Sequence, residues 1–194
     1  MRFDIITIFP KSLRGYFNSS ILARAQKDKK IKINLHNLRD FTQDKHKKTD
    51  DKPYGGGPGM LLKSEPIVKA ILNLKSKISN LENSKIILFS PAGKNFKQRM
   101  AQDWAKKYDN IIMICGRYEG VDARVKKIFK MEEISIGPYI LTGGELPAAV
   151  VVDAVARQIH GVLGKEESRE EEREMFGFPA YTKPEVFEHN GKKY

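Results

Sequence analysis

Three stretches decide the fold: KIILFSPAG (residues 85–93), IIMICGRYEG (residues 111–120) and EEISIGPYILTGGELP (residues 132–147). The first two carry a short apolar, β-branched run, the third a briefer Ile-Ser-Ile after two glutamates, and each holds a turn that carries glycine. They read as a buried-type strand over Lys85–Phe89, a strand over Ile111–Cys115 and a short strand over Glu133–Ile136. Helical stretches lie between and after them, at Phe96–Lys107, Val121–Lys130 and Glu145–Ile159, the last so rich in alanine and valine that it reads as deeply buried. Upstream, Ser64 caps a helix to about Lys77, with Glu65 and Pro66 in its first turn. Further back, Phe3–Phe9 alternates and stops at Pro10, Ser12–Lys29 reads as one helix, and Ile31–Asn37 alternates again. Leu38–Lys63 is a polar, glycine-rich connection far longer than usual, and loops of that size are mostly functional or disordered. Strands alternating with helices predict an α/β fold: a mainly parallel sheet with helices on both faces, ligands gathering outside the carboxyl ends of the strands.

If those three strands are parallel, the turns Ser90–Gly93, Gly116–Gly120 and Gly137–Gly144 open on one edge. Glycine there admits positive φ and lets backbone groups approach a ligand with no Cβ in the way. One glycine turn alone is more often just a turn; three on one edge describe a pocket. Familiar phosphate and hydrolase signatures do not fit it. Gly59–Ser64 has a Lys-Ser pair, but Leu62 stands where a Walker loop needs glycine, and no G-x-G-x-x-G follows a strand. H-E-x-x-H, paired C-x-x-C and G-x-S-x-G are absent too. No metal ligand set emerges, and magnesium would enter only through a bound RNA.

The length of 194 residues, with 40% apolar and 30% charged residues, fits one main globular domain and excludes collagen-like, coiled-coil and largely disordered chains. No apolar run approaches the roughly 18 residues of a membrane span. The opening MRFDIITIFP is strand-like and lacks the features of a secretory signal. A lone Cys115 excludes an internal disulfide and reads as a small buried hydrophobe, so a cytoplasmic protein is expected. Thirty-five Lys and Arg against 24 Asp and Glu give 35 − 24 = +11. The excess is regional: 28 basic and 12 acidic residues through Lys130 (+16), then 7 and 12 from Met131 on (−5). The densest part, Arg24–Lys52, mixes ten Lys or Arg with His36, His46, Phe41 and five Asp. That composition suits RNA phosphates, and equally a solvated lysine-rich surface.

The motifs Asp40-Phe41-Thr42, Asp44-Lys45-His46, Asp50–Met60, Cys115–Gly120, Ser135–Pro147 and Asp153–Arg157 together resemble the bacterial tRNA (guanine-N1)-methyltransferases that modify guanine 37, members of the SPOUT class. The resemblance spans nearly the whole chain. It implies a parallel sheet whose carboxyl-terminal part forms a deep trefoil knot, S-adenosylmethionine held in the knot loops, and a homodimer with composite active sites. Carried over residue by residue, it places Ser90, Pro91, Gly93, Gly116, Tyr118, Glu119, Gly120, Ile136, Gly137, Tyr139, Leu141, Gly143, Gly144 and Pro147 around the cofactor. Glu119 either approaches the sulfonium or the amino acid end of the cofactor, or pairs with Arg117 or Arg124. For the RNA, Asp50 and the loop with Tyr54, Gly55, Gly57, Gly59 and Met60 neighbour the target base, and Arg24, His46 and Lys52 lie near phosphates. His46 reads equally as a plain surface histidine.

Guanine N1 carries a proton, so methylating it calls for a carboxylate base, and a guanidinium near O6 would stabilise the charge that moves there. Arg157 matches the family's arginine, and counting from it brings the family's catalytic aspartate to Glu172. Here the chain departs from the family: Glu170, Glu171 and Glu172 are followed by Arg173 instead of serine, and Pro138 stands where an aspartate is usual. The same acidic run also reads as a solvated charge cluster. The implied organisation is a methyltransferase domain over 1–164, an acidic linker over 165–178 and, at 179–194, the start of a C-terminal tRNA-binding domain. The alternative is a catalytically weak remnant that binds RNA or cofactor.

Overall fold

Strand β1, Arg2–Thr7, is buried at every residue after the first, and β6, Asn110–Ile114, after its first likewise. Strands covered on both faces read as continuous apolar runs rather than alternating ones. In the computed structural model, which describes residues 1–78, 80–164 and 179–194, these two lie at the centre of a five-stranded sheet. Its other members are β2 (Lys32–Asn37), β5 (Ser84–Asn95) and β7 (Glu132–Ser135), in the order β2-β1-β6-β5-β7, every pair parallel. Successive side chains of β6 feed opposite cores. Ile111 and Met113 join Phe3, Ile5 and Ile87 under α1 (Lys11–Phe17), α2 (Ser20–Lys27), α4 (Gln98–Lys107) and α6 (Glu145–Ala156). Ile112 and Ile114 join Ile6 and Leu88 under α3 (Ser64–Lys75) and α5 (Arg124–Ile128).

This layering places the site. The chain leaves β5 for α4 on one face and leaves its neighbour β6 for α5 on the other. Adjacent parallel strands whose exits part in this way leave a crevice beyond their carboxyl ends. From β7, on the sheet edge, the chain then crosses back to begin α6 beside the end of β6.

The single helix expected over Ser12–Lys29 is two. Leu13 and Phe17 share a face, but at about 100° per residue Leu22 would point away from Leu13 in an unbroken helix. The chain therefore breaks at Asn18-Ser19-Ser20, where the Ser19 hydroxyl donates to the Tyr16 carbonyl at 2.8 Å and Ser20 takes a φ of 48°. Leu22 and Ala25 then reach the same core as Leu13 and Phe17. The long Leu38–Lys63 connection has structure of its own: a 3-10 turn at Leu38–Phe41 and an antiparallel ladder between β3 (Asp50–Asp51) and β4 (Leu61–Leu62), with Leu62 fully buried. Strand β5 also runs past Phe89, its register against β7 shifting between Phe89 and Lys94. Ser90–Gly93 is thus an excursion within a strand.

The described chain divides into two compact units, Met1–Leu163 and Gly164–Tyr194. In the second, β8 (Glu188–His189) and β9 (Lys192–Lys193) form a hairpin whose turn is Asn190-Gly191, both at positive φ, the conformation an Asn-Gly hairpin turn requires. Among the described residues, no helix is long and apolar enough to cross a membrane.

Candidate functional site

Beyond the ends of β6 and β7, beside the Ser90–Gly93 excursion of β5, lies a cavity of about 370 Å³. Its wall is built where two turns cross. The Gly144 N–H donates to the Gly116 carbonyl at 3.0 Å, and Arg117 and Gly143 form an antiparallel bridge. A Cβ on Gly144 would sit 2.6 Å from the Cys115 Cα, and one on Gly143 only 2.3 Å from the Arg117 Nε. Glycine is needed here so that the chain can lie on itself, before any ligand is considered. The third turn folds on its own residues: the Tyr139 hydroxyl donates to the Ile136 carbonyl at 3.1 Å, and the Tyr139 ring leaves a Cβ on Gly137 only 2.3 Å of room.

The cavity is lined by Ser90, Pro91, Gly116, Tyr118, Glu119, Gly120, Ile136, Gly137, Tyr139, Leu141, Gly143, Gly144 and Pro147, all assigned to the cofactor in the sequence. Gly93 lies outside this lining; a Cβ there would stand 2.6 Å from the Glu133 carbonyl carbon and the Ile134 nitrogen, so its place is set by contact with β7. Pro138 is exposed and also outside the lining. Neither pairing considered for Glu119 forms. Arg117 is engaged with Glu145, and Arg124 with Asp122. Glu119 lies against Gly59 instead, where a Cβ would come within 2.5 Å of its Cγ.

That contact joins the glycine-rich loop to the cavity. The Glu119 N–H donates to the Met60 carbonyl at 3.0 Å, the Leu62 N–H to the Gly120 carbonyl at 2.9 Å, and the Asp122 N–H to the Leu62 carbonyl at 3.0 Å. Tyr54 projects fully into solvent, and Gly55 and Gly57 have open space around them. Asp50 is half-buried in β3 and Lys52 exposed just beyond it. His46 is exposed in a turn closed by the Asp44 carboxylate, which accepts the Lys48 N–H at 3.1 and 3.2 Å. That backbone bond holds the Asp44 carboxyl below its ordinary range. Arg24 is exposed on α2, on the sheet face opposite α3, apart from this group.

A buried network escaped the sequence reading. Thr7, at the end of β1, donates from Oγ1 to Glu145 Oε1 at 2.6 Å, across 138 residues of sequence. The other Glu145 oxygen faces Arg117 Nη2 at 2.9 Å. Arg117 Nη1 donates to the Thr142 carbonyl at 3.1 Å, and the guanidinium lies 4.7 Å from the centre of the Phe9 ring. One signal pointed to it: Glu145 is an acid opening a helix read as deeply buried. Cys115 is fully buried beside this network; burial first, then the Glu145 charge, pushes its thiol well above the ordinary range, so it is no nucleophile near neutral pH.

Arg157 lies at the far end of α6, half-buried and outside the cavity lining. The helix has 12 residues, a length of about 18 Å. Along its outer face Leu146 is 64% and Val150 46% exposed, and the neighbouring turn exposes 85% of Ile140. Near Arg157, Asp153 accepts the Tyr16 hydroxyl at 2.5 Å, a bond that pushes the Tyr16 pKa up to about 12. Glu172 and the linker segment 165–178 fall outside the described residues. Among those described, no group of three or more His, Cys, Asp or Glu is placed to hold a metal ion.

The family described as tRNA (Guanine-1)-methyltransferase TrmD matches residues 1–192. A tRNA (guanine-N(1)-)-methyltransferase of Dictyoglomus turgidum is 52% identical over 191 residues, 97% of this chain and 75% of the relative. One from Campylobacter jejuni subsp. doylei is 45% identical over 197 residues, 100% of this chain and 82% of its own length. Among solved structures, the tRNA (m1G37) methyltransferase from Aquifex aeolicus superposes with a TM-score of 0.82 at 39% identity, covering 100% of this chain and 80% of that one.

Proposed function

This chain belongs to the tRNA (guanine-1)-methyltransferase family, and we propose that it methylates N1 of guanine 37 in tRNA with S-adenosylmethionine as donor, as a homodimer in the cytoplasm. The observation that carries this reading is the stitching of the glycine-rich 54–60 loop onto the crevice, through Met60, Glu119, Leu62 and Gly120. A loop suited to hold a base thereby borders a cavity suited to hold a methyl donor.

The donor's fit rests on the cavity. Its volume of about 370 Å³ and its walls of glycine-rich backbone suit an adenosine, and Glu119 supplies a carboxylate for a cationic group. Bound there, S-adenosylmethionine would supply an electrophilic methyl on a sulfonium. The chain's own tasks are to present guanine N1 in line with that methyl, to take the N1 proton and to stabilise charge on O6. Arg157 is assigned the O6 charge and the carboxylate of Glu172 the proton. Asp50, Tyr54 and Met60 are assigned to the target base, and Lys52, His46 and Arg24 to phosphates. The crossing of residues 142–144 over the end of β6 supports the trefoil knot.

Distance supports the homodimer. Arg157 stands about a helix length from its own crevice, while the α6 face between them exposes Leu146 and Val150. A second copy seated on that stripe would cover it and bring its Arg157 toward this crevice, completing each site from two chains.

The test is methylation of a tRNA bearing G36-G37 with labelled donor. N1-methylated guanine 37 is expected, with turnover reduced roughly 10²- to 10³-fold in Arg157→Ala. Donor and tRNA both binding with no methyl transferred would overturn the reading in favour of a binding remnant.

A further inference from the structure

The Arg117–Glu145 pair invites a question that stability does not answer. Glu145 is almost wholly buried, Arg117 is largely so, and neither the buried Arg117 Nε nor Glu145 Oε2 has a hydrogen-bond partner among the described residues, although Oε2 lies 2.9 Å from Arg117 Nη2 as an ion pair. A buried, incompletely satisfied ion pair is a poor stabilising device, since apolar side chains of similar volume often do as well. What the pair does provide is geometry. Glu145 is tied to β1 through Thr7, while Arg117 reaches from the β6 turn to the Thr142 carbonyl and stacks on Phe9. Two strand ends, those of β1 and β6, are thereby fixed to the short segment 142–145, and Arg117, Thr142, Gly143 and Gly144 all line the cavity.

We propose that Arg117 and Glu145, braced by Thr7, are positioning residues for the methyl donor: they hold the Thr142–Gly144 wall at the spacing the donor requires and take no part in the transfer itself. The inference rests on the donor reading of this cavity. A fork-shaped guanidinium can serve Glu145 and the Thr142 carbonyl at once, whereas a lysine ammonium cannot hold that planar geometry. Arg117→Lys therefore keeps the charge and loses the brace. Glu145→Gln keeps the shape and loses the charge.

The experiment measures donor Kd by calorimetry, and kcat with the KM of donor and of tRNA, for the wild type, Arg117→Lys, Glu145→Gln and a control, Lys85→Met. Lys85 pairs with Glu132 at 2.6 Å near the amino ends of β5 and β7, away from the crevice. The two wall variants should raise donor Kd and KM about tenfold or more. Their kcat at saturating donor should stay within about threefold, and the KM for tRNA should not change. The control should lose comparable thermal stability and keep its donor Kd within about twofold. Should either wall variant not fold, Thr7→Val removes the hydroxyl that donates to Glu145 and accepts the Phe9 N–H at 2.9 Å, and should raise donor Kd about threefold. Donor constants unchanged in the wall variants or in Thr7→Val, or raised as much by Lys85→Met, would overturn the inference. A wild type that itself binds no donor would instead refute the donor reading beneath it.

Discussion

Replacing Gly144 by alanine is a sharp test of how the crevice is built. At φ −82° and ψ 0° the backbone of Gly144 suits alanine, so strain does not enter. The added methyl would instead lie 2.6 Å from the Cys115 Cα and 3.1 Å from the Gly116 nitrogen. Ordinary carbon contacts begin about 1 Å further out. Cys115 cannot give way, because it is buried immediately after β6 and its N–H is bonded to the Ile6 carbonyl at 3.0 Å. The 142–144 segment must therefore lift, losing the Gly144–Gly116 hydrogen bond. Overpacking costs about 1–3 kcal/mol and the bond about 1 kcal/mol, which predicts a loss of about 2–4 kcal/mol in urea unfolding. A wall displaced by about 1 Å should also cost on the order of 10²-fold in methyl transfer at low donor. Gly15→Ala is the matched control: it lies in α1 with nothing within 4 Å of a Cβ and should gain about 0.5–1 kcal/mol from helix propensity. Wild-type stability and donor affinity in Gly144→Ala would refute the argument.

Two further outcomes are expected. Mixing Arg157→Ala with Gly144→Ala protein under conditions that exchange subunits should restore about a quarter of wild-type activity, since in the proposed composite homodimer half the dimers would be mixed and each would have one whole site; no recovery in mixed dimers would mean that Arg157 serves its own chain's crevice. Asp4 is fully buried and accepts from Arg2 at 2.6 Å, Asn34 at 2.9 Å and His36 at 2.7 Å. Burial pushes its carboxyl up, but these bonds outweigh burial and hold it below the ordinary range. With the folded pKa depressed, the stabilisation is whole above the unfolded value of about 4 and fades as pH falls through the folded one. Asp4→Asn should thus lose about 2–3 kcal/mol at pH 7 and show a shrinking deficit below about pH 4 in unfolding titrations; a deficit independent of pH would exclude the charge as its cause.

Local pattern made the sheet legible. Strands buried on both faces leave apolar runs such as Ile111–Ile114, and parallel strands need the intervening helices, so alternation along the chain maps onto the layers. Partnership across long separations was not legible. Nothing local in Thr7 or Glu145 announces the other, and the break at Ser19-Ser20 is decided by where Leu22 must point once Leu13 is buried. Arg157 was legible as a residue type at a helix end, but not as one standing a helix away from the crevice of its own chain.

The glycines carry a deeper lesson. In the sequence they suggest room for a ligand; in the structure, Gly93, Gly137, Gly143 and Gly144 are each blocked by the protein itself, from the β7 backbone, the Tyr139 ring, Arg117 and the end of β6 respectively. Gly116 and Gly120 differ, meeting nothing closer than 3.7 Å. A glycine motif at a binding crevice can thus record the chain crossing itself. The two kinds of position should fail differently: crowding Gly143 or Gly144 moves the wall and disturbs everything seated against it, whereas a small side chain at Gly116 enters the space the donor would occupy and competes with the donor alone. The crevice depends on chain crossings for its shape, and among its glycines only the open ones, Gly116 and Gly120, leave backbone free to meet a ligand.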